Sequence, residues 1–104
     1  MTSNINKKQP SECTNITEVR NEIDAIDKEI IRLLSNRLQY VHEVVKYKEA
    51  TATSIEAADR KADVLSTRAQ WAIENGLEPE VIQDMYQNLI QYFIDEEKKK
   101  KNIK

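Results

Sequence analysis

The stretch that decides the fold is residues 15–48, NITEVRNEIDAIDKEIIRLLSNRLQYVHEVVKYK. Apolar side chains recur at Ile16, Val19, Ile23, Ile26, Ile30 and Leu33, and the pattern continues through Tyr40, Val44 and Tyr47. Spacings that alternate three and four place one apolar stripe along an α-helix. No Gly or Pro interrupts the stretch. Thr14 or Asn15 can cap it, and Asn15 with Glu18 three residues on approximates a capping box. Such a helix is roughly 50 Å long at ~1.5 Å per residue. A compact chain of this size has a radius of gyration of only about 13 Å. The stripe therefore overshoots a monomeric globule, and geometry predicts a homodimer that covers it.

Outward from this helix, residues 1–12 are polar and are expected to form a disordered lead. They lack the apolar core of a signal peptide. Residues 49–54 read as a linker. Thr53-Ser54-Ile55-Glu56 has a capping-box pattern and opens a second helix. Its stripe is Ile55, Ala58, Ala62, Leu65, Ala69 and Ala72. Asn75-Gly76 ends that helix, with Gly76 free to take the left-handed conformation. Glu78-Pro79 opens a third, with Pro79 in the first turn. Its apolar face holds Ile82, Met85, Tyr86, Leu89, Ile90 and Phe93. The expectation is an all-α chain of one long and two shorter helices: a helical domain over residues 13–97, then a disordered basic tail over residues 98–104.

Composition narrows the function. The 104 residues suit a single domain, and one glycine with two prolines argues against sandwiches, barrels and doubly wound sheets. No apolar run reaches the ~18 residues of a membrane span. One cysteine, Cys13, cannot make an internal disulfide, so a cytoplasmic setting is expected. Cys13 and the single histidine, His42, are too few for a usual zinc site. Five of the sixteen Lys and Arg fall within residues 98–104, which leaves eleven basic against eighteen acidic side chains before them. An acidic body argues against nucleic acid as the main partner. The Lys98–Lys101 run reads as a solubilising tail.

Cations interrupt the apolar stripe. Arg37 follows Leu33 by four and Ile30 by seven, and Lys48 follows Arg37 by eleven, so both face the same way. Tyr40, Val41 and Val44 lie between them. Buried cations require anionic partners. The anion is either a carboxylate of a neighbouring helix or a bound ligand, and Lys48 could also snorkel at the helix end. Arg20 sits one residue past the stripe. Arg60 and Arg68 fall off the main stripe of the second helix and read as surface residues. Glu97 follows Phe93 by four and Ile90 by seven, so it continues an apolar face unless the helix frays there.

These residues, in this order, resemble the all-helical chorismate mutase class, and within it the bacterial isochorismate pyruvate lyases. The resemblance is carried by Glu12-Cys13-Thr14, Val19-Arg20, Ile23-Asp24, Ile26-Asp27, Arg37, Tyr40-Val41, Tyr47-Lys48, Arg60, Arg68, Trp71-Ala72 and Glu74-Asn75-Gly76-Leu77. It implies an intertwined homodimer with two sites shared between protomers, a small dicarboxylate substrate, and no metal or organic cofactor. Arg20 from the other protomer, Arg37 and Arg60 are then expected to bind the substrate carboxylates, with Ile90 as a further substrate contact. Lys48 and Glu97 are expected to act at the ether oxygen, with Glu97 in its protonated form. The reaction implied is isochorismate to salicylate and pyruvate, with side mutase activity; the alternative is chorismate to prephenate. Relative to typical mutases, Lys61 replaces a Glu and Ala57 an Asp, which favours the lyase. A non-catalytic helical dimer is the reading from a different class. It gains nothing from cations on a buried face.

Overall fold

The structure, a computed structural model, describes residues 8–48, 51 and 57–102. Every regular element among them is helical: α1 (Ile16–Val44), α2 (Ala58–Glu74) and α3 (Pro79–Lys100), with short 3₁₀ turns at Pro10–Glu12 and Val45–Tyr47. The chain divides into two compact units, Met1–Gln39 and Tyr40–Lys104.

In the first unit the start of α1 is fixed by its cap. The Glu18 N–H donates to Asn15 Oδ1 at 2.9 Å, which makes Asn15 the N-cap. The Glu18 carboxylate turns back further than a simple capping box requires. It accepts from the Thr14 N–H at 2.9 Å and the Thr14 hydroxyl at 3.1 Å, and it pairs with Lys8 at 3.1 Å. The Thr14 N–H, then the Lys8 and Thr14 side chains, hold this carboxyl below its ordinary range. The lead is ordered closer to the helix than expected: residues 10–12 form a turn in which the Gln9 N–H donates to Glu12 at 2.6 Å. No residue of α1 is buried, and Ile16, Val19, Ile23, Ile26, Ile30 and Leu33 stand exposed along it.

The second unit carries the core. α2 and α3 pack together around Val64, Ile90 and Ile94, with Leu65 and Tyr86 against them; Val45, Ala72 and Phe93 are also buried. Each such large apolar side chain contributes about 1.5–3 kcal/mol by leaving water. The inward face of α2 differs from the alanine stripe read in the sequence. Ala58 and Ala62 are exposed, whereas Val64 is buried and Lys61 and Arg68 are half-buried. Leu65 and Ala72 of the stripe do turn inward, but Ala58 and Ala62 remove too little area from water to fix the face; Val64 shares it with Leu65 instead. The capping sequence at residues 53–56 lies outside the described residues. The residue before α2, Ala57, has φ +44°.

The α2–α3 turn is a Schellman motif. The Leu77 N–H donates to the Ala72 carbonyl at 2.8 Å and the Gly76 N–H to that of Ile73 at 3.1 Å, with Gly76 at φ +75°. Pro79 then opens α3. This helix continues through Lys100, past the Glu97 boundary assigned to the tail. Cations at a helix C-terminus oppose the negative end of its dipole, so lysines there favour extension over fraying. Nothing lies within 4 Å of a Cβ placed on Gly76. Gly76→Ala should therefore lower stability by about 1 kcal/mol through backbone strain alone. Urea denaturation measures this, and Gly76→Asn should lose less.

Candidate active site

The site residues of the second unit are organised by two chain ends. After α1 the backbone tightens into the 3₁₀ turn Val45–Tyr47, and Lys48 leaves it in an extended conformation. The Lys48 N–H donates to the Val45 carbonyl at 3.2 Å. Val45 is buried and anchors the turn. Late in α3, Glu97 falls one turn after Phe93 and two after Ile90, so it extends the apolar face of that helix. Glu97 is only 5% exposed.

Lys48 Nζ and Glu97 Oε1 meet at 2.7 Å, with side chains 22% and 7% exposed. The anion that the buried position of Lys48 demanded is thus a carboxylate of a neighbouring helix. The sequence reading had Glu97 protonated beside a ligand; here its carboxyl is bonded to Lys48. The pair satisfies both charges, which neither could tolerate alone away from water. Ile90 is buried in the α2–α3 core beside Val64 and Ile94, beneath the apolar face that Glu97 completes.

The remaining candidates are distributed differently. Arg60 lies on the outer surface of α2, its side chain 65% exposed and 3.3 Å from Asp63. Arg20 and Arg37 belong to the first unit; Arg20 is exposed and Arg37 half-buried. Cys13 is half-buried and sulfhydryl-to-carbonyl distance to Gln9 is 4.0 Å, while His42 is half-buried on α1.

Arg68 is not the surface residue its position off the alanine stripe suggested. Its guanidinium lies 4.4 Å from the Trp71 ring centroid and 5.8 Å from that of Tyr86. It donates to the Thr67 hydroxyl at 2.9 Å, and its Nε is buried without a hydrogen-bond partner. Trp71 is 51% exposed and presents its face to this cation, so its ring does not anchor the interhelical turn. The anchoring is done by its carbonyl, which accepts from Asn75 Nδ2 at 2.8 Å. The Arg-x-x-Trp spacing on one helix was the signal for the stack.

A half-buried lysine paired with a buried carboxylate at the end of an apolar helix face is what the second unit brings together. The sequence model of chorismate mutase type II matches residues 19–98, and the chain belongs to that family. Among its relatives is the isochorismate pyruvate lyase of Pseudomonas aeruginosa, 36% identical over 90 residues that cover 86% of this chain and 88% of the lyase. The T-protein of Enterobacter agglomerans is 32% identical over 75 residues, 72% of this chain but 20% of that protein. The T-protein of Haemophilus influenzae is 33% identical over 70 residues, 67% and 19% respectively. The chain thus spans about a fifth of either T-protein.

Removing Lys48 strands a buried carboxylate, so Lys48→Met should cost about 3 kcal/mol. The double variant Lys48→Met/Glu97→Met should cost less than the two single changes summed, by about 1 kcal/mol or more. Denaturant melts of all four proteins measure the coupling, and additive losses would show that the pair is not energetically linked.

Proposed function

We propose that the protein is an isochorismate pyruvate lyase that converts isochorismate to salicylate and pyruvate. Chorismate-to-prephenate mutase activity is the second reading, which the match to the chorismate mutase type II model favours. The observation that carries the reaction class is the Lys48 ammonium, held in a half-buried position on an apolar floor within this family's helices. The near-complete overlap with the Pseudomonas aeruginosa lyase supports the lyase over the mutase, as do Lys61 and Ala57.

In the lyase reaction the ether C–O bond of the enolpyruvyl arm breaks while a ring hydrogen passes to the arm's methylene carbon. The arm leaves as pyruvate and the ring becomes aromatic. All atoms come from one molecule, so the protein's task is conformational and electrostatic. Arg37 and Arg60, with Arg20 from a second copy, bind the two carboxylates and fold the arm over the ring. Lys48 presents positive charge where negative charge grows on the ether oxygen. Ile90 backs the apolar floor. The exposed stripe of α1 supports a homodimer with sites shared between protomers. Sedimentation should give twice the chain mass.

Ionised Glu97 neutralises Lys48 and opposes the charge growing on the ether oxygen. A neutral amide at this position would release Lys48 and could itself donate to that oxygen. Glu97→Gln should therefore raise turnover. No gain in Glu97→Gln would remove Glu97 from the site.

Purified protein offered isochorismate should yield fluorescent salicylate. Prephenate formed from chorismate at a much higher rate would favour the mutase. Lys48→Ala should lose most of the rate. Lys48→Ala/Glu97→Gln, which leaves no buried unpaired carboxylate, should stay folded and equally inactive. Near-normal turnover in it would exclude the electrostatic role.

A further inference from the structure

We propose that Lys100 and Lys101 steer the anionic substrate to the Lys48–Glu97 site, an inference that rests on the dicarboxylate reading above. The body of the chain poses a problem for any dianion. Residues 1–97 hold eighteen acidic against eleven basic side chains, so the long-range field repels the ligand that the site would bind. Five of the sixteen cations lie beyond Glu97 and bring the balance from −7 to −2, and the structure gives some of them fixed places. α3 runs through Lys100, and the Lys101 N–H donates to the Glu97 carbonyl at 3.0 Å.

Lys100 and Lys101 follow Glu97 by three and four residues, so they sit on its face of the helix. They stand about 4.5–6 Å further along the axis, within the ~8 Å Debye length of physiological salt. Lys99 differs, because it is turned toward the preceding turn and paired with Glu96 at 2.9 Å. Lys98 also projects from a different side of the helix. The acidic neighbours are directed elsewhere too: Asp95 accepts from Gln91 at 3.0 Å, and Glu96 faces Lys99. Of the run of lysines, two thus extend the positive charge of Lys48 outward along one face. They need not touch the bound substrate. They raise its local concentration around the Lys48–Glu97 pair, which increases kcat/KM and leaves kcat alone.

The test is steady-state kinetics with isochorismate and, separately, chorismate, at low and high salt. At about 20 mM ionic strength, Lys100→Gln/Lys101→Gln should lower kcat/KM by about 3- to 10-fold with kcat retained. The difference should close near 0.5 M salt, where the Debye length is only about 4 Å. Lys98→Gln/Lys99→Gln removes the same net charge and should lose less, while Lys100→Arg/Lys101→Arg should match the wild type. An unchanged kcat/KM at low salt in the Lys100/Lys101 variant overturns steering while the enzymatic reading stands. Equal losses in the two glutamine pairs overturn it as well, because net charge and not position would then be responsible. A wild-type protein that processes neither substrate overturns the enzymatic reading and this inference together.

Discussion

A carboxylate buried to 5% exposure near the end of a helix is the constraint on which the second unit depends. Glu97 cannot sit there charged unless a cation reaches it, and Lys48 does so across 49 residues of sequence. That requirement explains the local backbone. α1 could not simply continue, since a helical residue 48 would be committed to the stripe of its own helix. The tightened turn Val45–Tyr47 and the extended Lys48 release the side chain, and buried Val45 keeps the turn against the core. The same pair is itself close to electrical neutrality.

The hydrophobic arrangement is unequal between the units. α2 and α3 bury Val64, Ile90, Phe93 and Ile94, whereas α1 buries nothing along its whole length. A regular stripe of isoleucine, valine and leucine left in water carries a large unfavourable hydration term. The proposed second copy answers that cost with a surface of the same repeat. Arg68 contributes differently, by tying α2 to α3 through its stack on Trp71 and Tyr86. Its buried Nε lacks a hydrogen bond. The arrangement therefore relies on the rings and the Thr67 hydroxyl to hold a cation whose desolvation is incompletely offset.

The helices were legible because their signals are local. Alternating spacing gave α1, Asn15 and Glu18 marked its start, and Asn75-Gly76 with Pro79 marked the α2–α3 turn to the residue. Glu97 was legible as a break in an apolar face, and so was Lys48. What the chain did not disclose were quantities that depend on tertiary packing. Ala58 and Ala62 matched a helical period yet lacked the area to choose a face, although Ala72 does turn inward, and Arg68 reads as a surface residue from spacing alone. The pairing of Lys48 with Glu97 was also hidden. Periodicity shows that a charge is buried, but its partner comes from a different helix, and spacing within one helix is silent about that. The end of α3 was misjudged because a lysine run resembles a solvated tail, although the helix dipole favours it.

The preference for lyase over mutase can be framed as a question of hydrogen-bond polarity. Lys61 is half-buried and shares the inward face of α2 with Val64, Leu65 and Arg68. The mutases this chain resembles carry a glutamate at that place, where a carboxylate accepts a hydrogen bond from the ring hydroxyl. An ammonium has three donors and no acceptor, so it cannot reproduce that contact. It would instead favour a substrate that turns an oxygen lone pair or a carboxylate toward α2. The aspartate three residues before the second-helix arginine is replaced as well, by Ala57, so that position does not restore the missing acceptor. Two anionic positions lost from one helix face leave the proposed site more cationic than a mutase site. That shift suits a ring whose hydroxyl lies elsewhere and whose carboxylates dominate binding.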